Sequence, residues 1–121
     1  MAEVFACKSG ALREGGVLVL RHGAVEVGVF RLNGKLHCYR NVCPHQGGPV
    51  CEGVRRHAVE DLFTADGLLT GQRYNEDDLH IVCPWYGYEF HLETCIHAGD
   101  ARIRLQRFET SERDGDIYVH L

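Results

Sequence analysis

Asn33-Gly34 lies between Val29-Phe30-Arg31-Leu32 and Lys35-Leu36-His37-Cys38-Tyr39. This dipeptide readily takes the positive φ angles of a two-residue hairpin turn, so the flanking segments are expected to pair as antiparallel strands. Similar punctuation recurs. Val17-Leu18-Val19-Leu20 and Ala24-Val25-Glu26-Val27-Gly28-Val29-Phe30 are β-branched runs separated by Arg21-His22-Gly23, which reads as another hairpin. Leu79-His80-Ile81-Val82 and Tyr88-Glu89-Phe90-His91-Leu92 alternate in character about an intervening loop, while Arg102-Ile103-Arg104-Leu105 and Asp116-Ile117-Tyr118-Val119 read as strands flanking a segment with a turn at Asp114-Gly115. No long amphipathic helical pattern occurs. The fold class is therefore all-β, built as a small antiparallel sandwich or barrel.

A chain of 121 residues with 45% hydrophobic content supports one compact core, so residues 1–121 are read as a single domain. The rhythm of short strands breaks from Val54 to Asp78, which is read as an insertion with a hairpin between about Leu62 and Leu69. The net charge of −4 gives no general attraction to nucleic acid or anionic lipid and favours a basic partner surface. The amino terminus, Met1-Ala2-Glu3-Val4-Phe5, lacks the pattern of a signal peptide, and no apolar stretch approaches membrane-spanning length. A cytoplasmic location is expected. Under reducing conditions the six cysteines, at 7, 38, 43, 51, 83 and 95, are read as thiols or metal ligands rather than disulfides.

Two loops carry the chemistry. Cys43-Pro44-His45-Gln46-Gly47-Gly48-Pro49 sets a thiolate and an imidazole two positions apart on a stretch that disfavours regular structure, and Cys83-Pro84-Trp85-Tyr86-Gly87 repeats the Cys-Pro opening. These loops, with their flanking strands and the region from Ile103 to Val119, resemble the Rieske [2Fe–2S] family. There, a Cys-x-His loop and a Cys-x-x-His loop each provide one thiolate and one imidazole. The resemblance implies a Rieske-like β-fold with two cluster-binding loops and a [2Fe–2S] cofactor. Cys43 and Cys83 would hold one iron, and His45 and the residue at position 86 the other. Glycines at 47, 48 and 87 would let backbone N–H groups approach the sulfides. Histidine ligation places such clusters in a range of roughly −150 to +300 mV.

Position 86 is tyrosine where the family has histidine, and three readings follow. Tyr86 binds iron as a phenolate; another donor takes its place, with Cys51 preferred to His91 or Cys95; or the fold persists without a cluster, as the resemblance to small subunits of assimilatory nitrite reductases allows. Cys95 is disfavoured because an extended strand and turn would carry it away from the loop tips.

Cys7 and Cys38 are read as small core residues. His22, His37, His57, His80, His97 and His120 are read as surface or satisfied histidines without ligand spacing, and Trp85 and Tyr88 as packing beneath the loops. Nothing supports independent hydrolytic or transfer catalysis. Only three Cys or His donors occur in the motif, which makes a closed structural zinc site the weaker reading. The resemblance implies an electron carrier, a ferredoxin component or small subunit working between a reductase and a terminal oxygenase or oxidoreductase. The alternative is a cluster-free accessory subunit that uses the loop tips and the inserted segment for binding within a larger oxidoreductase.

Overall fold

The structure is a computed structural model that describes residues 2–44, 47–85 and 87–121, with side chains at 56–61, 63, 70 and 72–77 left aside. Among the described residues there are nine strands: β1 (Glu3–Lys8), β2 (Val17–His22), β3 (Val25–Leu32), β4 (Lys35–Arg40), β5 (Val54–Phe63), β6 (Leu69–Val82), β7 (Glu89–His91), β8 (Arg107–Arg113) and β9 (Asp116–His120). They form a six-stranded sheet in the order β1-β9-β8-β4-β3-β2 and a three-stranded sheet in the order β5-β6-β7. Every strand pairing is antiparallel. Among the described residues, no helix is long and apolar enough to cross a membrane.

Strands β3 and β4 are buried on both faces because each contributes to two hydrophobic clusters. Successive side chains on a strand point to opposite sides. Accordingly Val27 and Val29 pack with Cys38, Ile117 and Val119, while Phe30, Leu32 and Tyr39 join Ile81, Phe90, Leu92 and Leu105. The second cluster draws on both sheets. Tyr39 links them further, since its hydroxyl donates to the Leu92 carbonyl just beyond β7. Without that acceptor, the buried hydroxyl would be desolvated at considerable cost.

The expected turns at Asn33-Gly34 and Asp114-Gly115 have φ values of 52° and 75°, and 52° and 77°, respectively. Segment 54–78 is occupied by β5 and most of β6, with their turn at Thr64–Leu68 closed by Thr64 N–H to Leu68 O at 2.8 Å and Gly67 N–H to Thr64 O at 2.9 Å. A hairpin therefore falls where the sequence places one.

The strand expected at Arg102–Leu105 is not one. That stretch is a loop, apart from an isolated bridge between Ile96 and Arg104, and the strand preceding the Asp114-Gly115 turn is β8. The discrepancy has a physical origin: Leu105 is buried as a loop residue and donates its N–H to Cys95 O at 2.9 Å. The apolar signal therefore lies outside the strand, whereas β8 itself carries only Phe108 as a large apolar side chain.

Candidate functional site

The first loop leaves β4 at Arg40 and is held at both ends by Asn41. Its side-chain amide donates to Glu26 Oε1 at 2.8 Å and Glu52 Oε2 at 3.1 Å, while its Oδ1 accepts the Cys51 N–H at 2.8 Å. Between those ends, Cys43 N–H donates to Gly48 O and Gly47 N–H to Cys43 O, both at 2.8 Å. This tight return requires φ of 79° at Gly47, a conformation that glycine adopts without steric penalty. The second loop joins β6 to β7. Cys83 N–H donates to Tyr88 O at 2.7 Å across its neck.

The loops touch. At Gly48 an added Cβ would lie 2.7 Å from Trp85 Cγ, so the missing side chain of the first loop is the seat for the indole of the second. Trp85 remains 50% exposed and thus lies at the outer junction of the loops rather than beneath them. Tyr88 does pack against the core and meets the His97 ring at a centroid distance of 4.7 Å. Pro44, Tyr88, Arg102, Ile103 and Arg104 line a cleft beside the first loop.

Cys43 and Cys83 are each 1% exposed and belong to one buried hydrophobic cluster. Burial raises the Cys83 pKa; the Trp85 backbone N–H opposes this by donating to the sulfur, and the contact with Cys43 raises it further. Two adjacent thiols shielded from water, with a backbone N–H directed at one sulfur, fit the two-thiolate half of an iron–sulfur cluster. Metal binding would replace the thiol protons and offset the cost of burying thiolate charge. His45 and Tyr86 lie outside the described residues.

The other cysteines have different surroundings. Cys51 sits against β3, where an added Cβ on Gly28 would come 2.7 Å from its sulfur, and its thiol donates to Tyr39 O at 3.6 Å. Burial pushes its pKa up to about 12, so it is held as a neutral core thiol. Cys38 is fully buried, and burial likewise raises its pKa to about 12. Cys7 is half-buried and packs against the same cluster as Cys38. Cys95 is buried at the far end of the β7 turn, with its N–H donating to His91 O at 2.8 Å.

One constellation escaped the sequence reading. His80, expected to be an isolated histidine, is paired across β6 and β7 with His91, and both meet Asp78. The pattern could have been found by extending the hairpin register from the Cys83 loop: Val82 faces Glu89, Ile81 faces Phe90 and His80 faces His91. Burial raises the Asp78 pKa, but hydrogen bonds to His91 and His80 outweigh that effect and leave it below the usual value.

Comparison with solved structures gives matches over nearly the full chain. The ferredoxin of carbazole 1,9a-dioxygenase from Nocardioides aromaticivorans IC177 aligns with a TM-score of 0.68 and 19% identity, covering 98% of this chain and 97% of that one. A putative NADH-dependent nitrite reductase small subunit from Mycobacterium tuberculosis aligns with a TM-score of 0.69 and 20% identity, covering 98% and 93%. A complex of reduced oxygenase and oxidized ferredoxin in carbazole 1,9a-dioxygenase contains a chain that aligns with a TM-score of 0.69 and 20% identity, covering 97% and 91%. At these identities the likeness establishes the fold. Comparison with curated proteins gives no match. The family model for the Rieske [2Fe–2S] domain matches residues 2–109; with that span including both cysteine loops, strands β1 to β7 and the start of β8, the chain belongs to the Rieske [2Fe–2S] domain family, and the cofactor this implies is a [2Fe–2S] cluster.

Proposed function

We propose that this protein is a single-electron carrier, a ferredoxin component or small subunit of an oxygenase or related oxidoreductase system. The supporting observation is the meeting of the buried Cys43 and Cys83 thiols where Trp85 closes on Gly48. In this reading Cys43 and Cys83 hold one iron, and His45 and Tyr86 hold the other. When bound, the cluster supplies a one-electron couple. The chain supplies the sulfur ligands, excludes water from them and directs the Trp85 N–H toward the Cys83 sulfur, a contact that stabilises negative charge there. Tyr86 as phenolate is anionic, so it lowers the potential relative to imidazole.

A reductase is assigned as the electron donor and an oxygenase or related oxidoreductase as the acceptor. The half-exposed Trp85 and the exposed Pro44 and Pro84 place apolar surface around the cysteine loops, where a redox partner would approach. The hairpin over 54–78 is assigned as an insertion that lengthens the small sheet. Anaerobic reconstitution should give iron and acid-labile sulfide in equal amounts, in a protein that bleaches on reduction. An iron-free, colourless product would overturn the assignment. Tyr86→His should convert the spectrum to that of a cluster with two histidine ligands.

The second reading, a cluster-free accessory subunit, is favoured by one feature: tyrosine occupies the position of the fourth ligand. It predicts that partner binding and thermal stability are indifferent to Cys43→Ala.

A further inference from the structure

Asp78, His80 and His91 bring two imidazole nitrogens and both oxygens of one carboxylate together on the small sheet. His80 Nε2 lies 3.0 Å from His91 Nδ1, His91 Nδ1 lies 2.9 Å from Asp78 Oδ1, and Asp78 Oδ2 lies 3.1 Å from His80 Nε2. Metal–ligand bonds of about 2.0–2.2 Å to imidazole and carboxylate put adjacent donors about 2.8–3.6 Å apart in octahedral or tetrahedral geometry, a range that holds all three of these separations. The imidazoles are not stacked. Their planes stand at 80° with centroids 4.4 Å apart, so their nitrogens converge while their ring faces do not.

Two further features build the site. The β5–β6 pairing jumps from His57↔Leu79 to Ala58↔Asn75, leaving Asp78 in an irregularity of β6; such bulges re-aim side chains. On the opposite edge of the His80 ring, Glu89 accepts from Nδ1. That contact leaves Nε2 to face the triangle in the neutral tautomer. Carboxylate–histidine pairs of this kind orient metal-bound imidazoles and raise their basicity. His80 is only 5% exposed, whereas Asp78 and His91 are each about one-third exposed, which leaves the outer side accessible to an ion and its water.

Hydrogen bonding alone satisfies this cluster fully only when both His80 nitrogens and His91 Nδ1 carry protons, one N–H for each Asp78 oxygen and one for Glu89. Each ring nitrogen carries at most one proton, yet His80 Nε2 and His91 Nδ1 face each other and the same carboxylate at nearly equal distances. In the neutral tautomer that gives Nδ1–H to Glu89, the His80 Nε2 lone pair faces Asp78 Oδ2 at 3.1 Å, a repulsive contact that either a further proton or a metal ion relieves. A cation accepts all three donors together.

We propose that Asp78, His80 and His91 form a binding site for a borderline divalent transition-metal ion of the zinc class, distinct from the cysteine loops and oriented by Glu89. Two imidazoles and one carboxylate suit zinc, cobalt or ferrous iron better than calcium or magnesium, which favour all-oxygen sites. The ion would clamp β6 to β7 three residues below Cys83.

Titration of the full chain with Co²⁺ tests the site separately from the cysteine loops. One equivalent should give weak visible ligand-field bands without near-ultraviolet thiolate-to-cobalt charge transfer. Zn²⁺ should displace it, and Cys43→Ser should leave those bands in place. Asp78→Asn and His91→Ala, both at partly exposed positions, should each weaken binding at least 100-fold. Glu89→Gln should weaken it 10- to 100-fold through the lost orientation of His80. Zn²⁺ should raise the Tm of the unmodified chain and leave that of Asp78→Asn unchanged. Three results would overturn the proposal: bands of thiolate character lost in Cys43→Ser, unchanged affinity in folded His91→Ala, or no binding by the folded chain, which would leave these groups as a protonated hydrogen-bond network only.

Discussion

At Gly53 the chain leaves the first cysteine loop so close to β6 that an added Cβ would lie 1.9 Å from Val82 O. The obstructing atom is backbone and cannot move without disturbing the strand that ends at Cys83. Gly53→Ala should therefore lower the unfolding free energy by about 3 kcal/mol and reduce cluster retention, measured by urea unfolding and iron content. His37 gives a prediction in pH. Its pKa is lowered first by burial and further by the positive charges of Arg107 and Lys35. The unfolded chain consequently takes up a proton near the ordinary value of 6.5 while the folded chain remains neutral at this position. The His37 contribution is complete above that pH and falls as the solution is acidified through 6.5 and on through the lower folded value. His37→Gln should flatten this part of a Tm-against-pH curve; an unaltered slope would contradict the assignment. The two cysteine loops were legible because their side-chain chemistry and turn residues lie together in sequence. The Asp78–His80–His91 triangle was hidden because it depends on cross-strand register.

The hairpins show the same division at the level of elements. Asn33-Gly34 was legible as a turn because only a few residues readily adopt two successive positive φ values. The support for that turn was not. Glu14, distant in sequence, accepts the Asn33 N–H at 2.7 Å and the Gly34 N–H at 2.8 Å through its two carboxylate oxygens. Gly34→Ala would retain a φ of 75° only with a Cβ in the left-handed region, and should cost about 1 kcal/mol in thermal or urea unfolding without altering iron content. Strand β8 was misplaced because its pairing depends on neighbours at both sides, β4 and β9, rather than on apolar periodicity. The buried Leu105 drew the reading five residues too early. The hairpin in segment 54–78 was legible from Asp66-Gly67, while the lengths of β5 and β6, ten and fourteen residues, depend on their pairing with each other.

For the molecule as a whole, the large sheet provides the frame, and the small sheet meets it through a shared hydrophobic cluster containing both Cys43 and Cys83. That arrangement explains why two loops 40 residues apart in sequence meet: the first leaves β4 of the large sheet and the second joins β6 to β7 of the small one. Packing between the sheets and the Trp85–Gly48 contact set the separation of the loops before any cofactor enters. In the proposed site one iron receives Cys43 and Cys83 while the other receives the donors at 45 and 86, so the two irons would differ in their ligands. Mössbauer spectroscopy of the anaerobically reconstituted, oxidised protein tests this directly. Two quadrupole doublets of equal area are expected, one from a sulfur-ligated iron and one from an iron with nitrogen or oxygen donors, both lost in Cys83→Ser; a single doublet from two equivalent irons, or a protein without iron, would overturn this ligand set.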